Sequence, residues 1–286
     1  MKFKFLVYSD FFNERFGGHR ILHKLGNTLH SLNEEVYSLC DPSEFVKYPK
    51  MNISDFNPED TIVIYPEVVI GNPINAKYVT RWLLNDQKYE YGEGDLVFKL
   101  FNSGLSKKHA EHLLIFDYEN DRGFWSEDDS KKDINFFMMR KMAIRKDNPK
   151  DYVNANHQKI VDLGVYNYPS LSFDEFYEGK SFEEIRSALR RTKYFVSFDI
   201  LSFWNTIASM CGAISVVIPS TIKSSSEFYS DHIYKYGVSY GFDDIPKRHP
   251  ERHKLHDYFC HLEENNRHMA DNFVNYCYRH FDKENI

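Results

Sequence analysis

Short runs of strand-forming residues alternate with helical patterns along most of the chain, and this alternation constrains the fold more than any other feature. FKFLVY at residues 3–8 is a compact apolar run led by β-formers. Ile21, Leu22, Leu25, Leu29 and Leu32 then recur at three- and four-residue steps, the stripe of an amphipathic helix. Further strands are predicted at residues 36–39, 60–65, 96–101 and 113–116. A helix is predicted at 75–84, with Pro73 near its first turn. The charged stretch ENDRGFWSEDDSKKD at 119–133 interrupts the series and suits a linker. A second series follows, with strands at 134–139, 159–163, 194–198 and 214–218. Its helices fall at 181–191, 203–211 (ended by Gly212) and 229–236, before a long or broken helix over 251–280. Ser181 and Glu184 have the spacing of a capping box.

Strands that alternate with helices build a parallel sheet covered on both faces. The chain is therefore read as α/β, with two Rossmann-like wound domains facing each other across a cleft. The expected division is 1–125 and 126–286, with the last helix able to pack back on the first domain. Ligands of such sheets sit at the carboxyl ends of the strands, beside helix N-termini.

The composition narrows the function classes. Among 286 residues, 36 Lys and Arg face 42 Asp and Glu, a net charge of -6, which argues against a protein that grips nucleic acid through phosphates. The four cysteines form no CxxC pair and are too few for a disulfide framework, so a reducing, cytoplasmic compartment is expected. The start MKFKF turns polar too soon for a signal peptide, and no run of 18 apolar residues occurs, while peripheral attachment to a membrane stays compatible.

Three clusters carry candidate chemistry. Gly17 and Gly18 precede the first helix, where small residues let backbone N–H groups approach a phosphate or sugar. The spacing is not GxGxxG, so no dinucleotide fingerprint is present. Arg140 and Lys141 end the run INFFMM, with Arg145 and Lys146 following, and fixed cations there suit a pyrophosphate. Asp199, Ser202, Asn205 and Thr206 gather where a strand runs into a helix. The carboxylate can accept from sugar hydroxyls, and the hydroxyl and amide groups can donate to phosphate. Each cluster also has a plain structural reading as a turn, a solvated basic stretch or a helix cap. His249, His253, His256 and His261 lie near one another without an HExxH arrangement, and they read as a solvated polar face.

In this order, the pieces resemble a nucleotide-sugar-dependent glycosyltransferase of the GT-B fold, of the kind that assembles bacterial and viral glycans. FGGHRILHKLGNTLHSLNEEVYSL is similar to that group's glycine loop, helix and second strand. YPEVVIGNPINAKYVTRWLLN resembles an acceptor-side block of a rhamnosyltransferase-like subset. INFFMMRK resembles the strand and basic pair that open the donor domain, YFVSFDILSFWNTIASMCGAISVVIP its strand–helix–strand, and KYGVSYGFDDI the segment after it.

The resemblance implies transfer of a sugar from a nucleoside diphosphate sugar to a lipid- or protein-linked saccharide acceptor, with no cofactor and no metal. Gly17 and Gly18 would then approach the donor, Arg140 and Lys141 would neutralise the leaving diphosphate, and Asp199, Ser202, Asn205 and Thr206 would line the donor pocket. Retaining members often carry two glutamates eight positions apart, and here those places hold Asp199 and Ile207. An inverting enzyme needs a base, and Asp10, Glu14, His19 and Glu67 are the candidates at the ends of the first strands. Asp10 and Glu67 lead because each directly follows or ends a strand. A viral DNA-base glycosyltransferase, a sugar-nucleotide epimerase and a non-catalytic degenerate transferase remain as alternatives on the same architecture.

Overall fold

The computed structural model describes residues 2–84, 91–100, 110–126, 131–139, 147–200, 202–221 and 224–282. In chain order the elements begin with β1 (Lys4–Val7), α1 (Gly17–Ser31), β2 (Glu35–Ser38), β3 (Thr61–Pro66), β4 (Tyr78–Leu83), β5 (Leu96–Lys99), β6 (Glu111–His112) and α2 (Tyr118–Asp121). They continue with β7 (Ile134–Met138), α3 (Pro149–Ala155), α4 (His157–Asp162), β8 (Ser170–Ser172), α5 (Phe173–Tyr177), α6 (Phe182–Arg191), β9 (Thr192–Ser197), α7 (Trp204–Met210) and β10 (Ile214–Val217). The last are α8 (Ser225–Ser230), β11 (Val238–Tyr240), α9 (Ile245–Arg248), α10 (Leu255–Glu264) and α11 (Asn266–Phe281).

The chain forms two compact units. Against the expected division at 125/126, one unit comprises Met1–Glu119 together with Phe259–Ile286, and the other Asn120–Tyr258. Each is built on one parallel sheet, in the orders β2-β1-β3-β4-β5-β6 and β11-β10-β9-β7-β8. This is the α/β architecture that the alternation predicts.

In the first unit, successive residues of β1 serve opposite faces, as a strand requires. Leu6 packs with Val63, Tyr65 and Val79 on one side. On the other, the rings of Phe5 and Phe98 approach Phe273 of α11, at 6.0 and 4.8 Å between centroids. Tyr278, also on α11, accepts a hydrogen bond from the Phe3 amide at 3.2 Å. In the second unit, Phe136, Phe195 and Trp204 surround Phe173, with centroids 5.1 to 5.5 Å away.

Four expectations need correction. Residues 229–236 form no single helix: α8 ends at Ser230, and a separate 3-10 turn spans His232–Tyr234. Residues 75–84 form no helix. They contain β4, which pairs in parallel with β3 from Ile62↔Tyr78 to Pro66↔Trp82. Every residue of β4 is buried, so the period-two alternation that marks a half-exposed strand is missing. Residues 159–163 lie in and just after helix α4, whose one buried residue is Ile160. The strand expected at 113–116 stops at His112. Beyond it, the Asn266 side chain takes the place of a strand partner, accepting from the Phe116 N–H at 2.8 Å and donating to the Phe116 carbonyl at 2.6 Å. The capping box is present, with Glu184 N–H donating to Ser181 Oγ and Ser181 N–H to Glu184 Oε2. Gly212, at φ 84, ends α7.

Candidate functional site

In the first unit the candidate groups gather where β1, β3 and β4 end. Gly17 and Gly18 are the first two residues of α1, and the N-cap Phe16 gives the helix no side-chain cap. Its first-turn N–H groups are therefore open to an outside acceptor. A Cβ at Gly17 would meet nothing within 4 Å, and one at Gly18 only Leu84 Cδ1 at 3.6 Å. Packing inside the unit thus demands glycine at neither position, and the space beside them is free for a ligand.

His19 sits in the same first turn. Phe11 and Phe16 flank its ring, with centroids 4.8 and 5.3 Å away. Its Nδ1 is shielded from solvent and meets no hydrogen-bond partner among the described residues. Burial lowers the imidazole pKa, while the charge of Asp10 opposes the shift. The net result favours the neutral ring, which is the form that can accept a proton.

The other base candidates fare differently. Asp10 is an exposed bend residue beyond β1, within electrostatic reach of His19. Glu14 is exposed on the same connection. Glu67, at the end of β3, is buried, and its Oε2 accepts from the Leu84 N–H at 2.9 Å, where it serves the backbone at the end of β4. Farther along α1, Arg20 and Lys24 approach Asp117, each at 3.8 Å. Lys24 also binds Glu263 at 2.7 Å.

In the second unit, Asp199, Ser202, Asn205 and Thr206 do come together at the carboxyl end of β9, and all four are buried. The main chain of Asp199 is locked from two sides. Its N–H donates to Ser197 Oγ at 3.1 Å, and its carbonyl accepts from Ser197 Oγ at 2.9 Å and from Asn205 Nδ2 at 3.1 Å. Ser202 Oγ accepts from the Trp204 N–H at 3.3 Å, a local turn contact just ahead of α7. The Thr206 hydroxyl donates to the Ile233 carbonyl.

These bonds fasten the turn before β11 onto α7, and that turn adds two residues the sequence pattern did not single out. Tyr234 is fully buried and donates to the Ser202 carbonyl at 3.1 Å. Asp231 is buried beside it. Burial, then the charges of Asp199 and Asp231, hold the Tyr234 phenol far above its usual range, so it remains a neutral donor. No spacing rule links 199 to 231, so only the fold could reveal this grouping. Arg140, Lys141, Arg145 and Lys146 lie outside the described residues.

No known family model matches the chain, and no curated protein sequence does. Among solved structures, the chain is similar to MurG of Acinetobacter baumannii, at 8% identity over 98% of this chain and 100% of that one, with a TM-score of 0.41. It is also similar to WaaG, a glycosyltransferase involved in lipopolysaccharide biosynthesis, at 11% identity over 94% of this chain and 95% of that one, with a TM-score of 0.43. Both TM-scores fall below 0.5, so the fold stands on the two sheets themselves.

Proposed function

We propose that the chain is a metal-independent GT-B glycosyltransferase. It moves a sugar from a nucleoside diphosphate sugar to a lipid- or protein-linked saccharide, in the cytoplasm or at the inner face of a membrane. The observation that carries this reading is His19: a half-buried ring favoured in its neutral form, in the uncapped first turn of a helix opened by two glycines. That is the arrangement a general base for a sugar hydroxyl needs.

In this reading the reaction inverts the anomeric centre. His19 takes the proton of the acceptor hydroxyl as its oxygen attacks the anomeric carbon. The bond from that carbon to the diphosphate oxygen breaks, and its electron pair leaves with the nucleoside diphosphate. Arg140 and Lys141 neutralise the charge that builds there. Asp199 and Ser202 serve as donor-side groups. Asn205 and Thr206 stand behind them and hold the backbone through the Asp199 and Ile233 carbonyls. Gly17 and Gly18 leave room for the reacting groups. Glu67 Oε2 is engaged at Leu84, which favours His19 over it as the base, with Asp10 the remaining candidate.

A thermal-shift panel of UDP, GDP, ADP, CMP and dTDP and their sugars, with and without EDTA, tests the proposal. Ligand at 100 times its dissociation constant stabilises by about 2.7 kcal/mol. One nucleotide standing out, unaffected by EDTA, supports the proposal. A flat panel overturns it.

A further inference from the structure

Lys235, Tyr236, Lys254 and Tyr258 form a cationic, aromatic cluster in the second unit that the proposed reaction does not use. The exposed Lys235 ammonium lies 4.8 Å over the Tyr258 ring and 5.6 Å over the Tyr236 ring. The exposed Lys254 ammonium lies 5.3 Å over Tyr236. The two rings meet edge to face, with centroids 5.3 Å apart. Two separate stretches of chain thus bring two ammonium groups to one ring.

The backbone beneath the cluster is fixed. Ahead of Lys235, the Ile233 carbonyl accepts from Thr206, and the Tyr234 hydroxyl donates to the Ser202 carbonyl. Behind Tyr236, the Gly237 carbonyl accepts from Ser209 Oγ at 2.9 Å. Gly237 has φ 73, and a Cβ there would collide with Ser209 Oγ and crowd the Arg252 backbone. Glycine therefore lets this turn lie against the stretch that leads into Lys254. Tyr258 is held by His232, whose Nδ1 lies 2.6 Å from the phenol oxygen. Burial pushes that phenol up to about 12, so it brings no negative charge to the cluster.

The charges choose the ligand. Over residues 231–237 and 247–258, Lys235, Lys247, Arg248, Arg252 and Lys254 outnumber Asp231, Glu251 and Asp257, in a chain whose net charge is -6. Asp231 is buried. Glu251 is shared between Arg248 and Lys254, at 3.2 and 3.1 Å. Among the described residues, no carboxylate pairs with Lys235. Neutral rings hold an ammonium in place without cancelling its charge. Two held cations that share so little negative charge match a small ligand with two linked anionic groups. We propose that Lys235 and Lys254 form a second anion site, which takes a diphosphate. The site goes beyond the transferase reading and stands without it.

The test titrates inorganic pyrophosphate, with EDTA present, into the full chain and follows the backbone amides of 235–237 and 254–258 by NMR. These amides should shift saturably, and added salt should weaken the binding because the cations are exposed. Lys235→Gln/Lys254→Gln changes two exposed side chains. It should weaken the binding read at these amides by about tenfold, as expected for two exposed ion contacts, at an unchanged melting temperature. Lys131→Gln/Lys150→Gln removes the same charge from two other exposed positions of the unit and should leave the affinity at its wild-type value. A second arm measures co-sedimentation with phosphatidylglycerol vesicles, where lipid headgroups supply the phosphate. No shift at these amides, equal weakening in both variants, or unchanged binding in Lys235→Gln/Lys254→Gln would each overturn the proposal. So would binding to the vesicles without any response to pyrophosphate, which would assign the cluster to a bilayer surface.

Discussion

The Nδ1 of His23 lies 2.7 Å from the Tyr48 hydroxyl, with the imidazole wholly inside the first unit. Cys40 Sγ is 3.9 Å from its other nitrogen. Burial, assisted by the nearby His19, lowers its pKa to about 4. The folded state therefore refuses a proton that the unfolded chain accepts at about 6.5. Stability that is complete above that value is lost as pH falls from about 6.5 toward 4, by an amount on the order of 3 kcal/mol. Urea unfolding across this range should show the decline in the wild type and a shallower one in His23→Gln.

Gly26 faces Tyr48 across the same cluster. A Cβ at this position would collide with the Tyr48 ring. Gly26→Ala should cost about 1–3 kcal/mol by overpacking, and Tyr48→Leu in the same chain should recover part of it. Denaturation midpoints of the two single variants and the double variant give the coupling.

Arg81 ties the β3–β4 connection to Asp95 ahead of β5, and no other side chain offers the same planar fork. Arg81→Met should lose about 1.5–3 kcal/mol or more, because Asp95 and the Val69 and Gly71 carbonyls all lose their charged donor. Arg81→Lys should recover only part of this. Limited proteolysis should show new cleavage between residues 67 and 75 in both variants.

His19→Gln should leave the melting temperature and the nucleotide-induced shift close to wild type, and it should slow sugar transfer by about 10²–10⁴-fold. A wild-type rate in this variant would return the base role to Asp10 or Glu67.

Asn266→Leu removes both bonds to the Phe116 backbone. Two buried backbone groups are left without partners, at about 1–3 kcal/mol each. Hydrogen exchange at the Phe116 amide should accelerate well beyond that of amides in β3.

The contrast between β1 and β4 explains which parts of the fold were legible. FKFLVY is a bounded apolar run of β-formers and α1 carries a helical leucine stripe, and both folded as read. YVTRWL is buried along its whole length, so its pattern carries no period, and the apolar run passed for helix. The end of β6 was illegible for another reason: its hydrogen-bond partner is a side chain 150 residues away. At the candidate sites, residue types and clustering were readable at Gly17, Gly18 and Asp199. What each side chain faces was not. Glu67 looked like a base and bonds the backbone, whereas His19 gained its standing from the Phe11 and Phe16 rings around it. Asp231 and Tyr234 joined the second site through hydrogen bonds to α7 that no local pattern encodes.

The first unit is discontinuous, since its core takes Phe273 and Tyr278 from a helix that follows the whole of the second unit. On the ribosome, β1 to β6 therefore emerge long before the helix that covers Phe5 and Phe98. The inner segment, 120–258, is complete earlier, so the usual N-terminal-first order of maturation is inverted. A released chain truncated after residue 258 should carry a protease-resistant second unit beside a first unit still open to digestion.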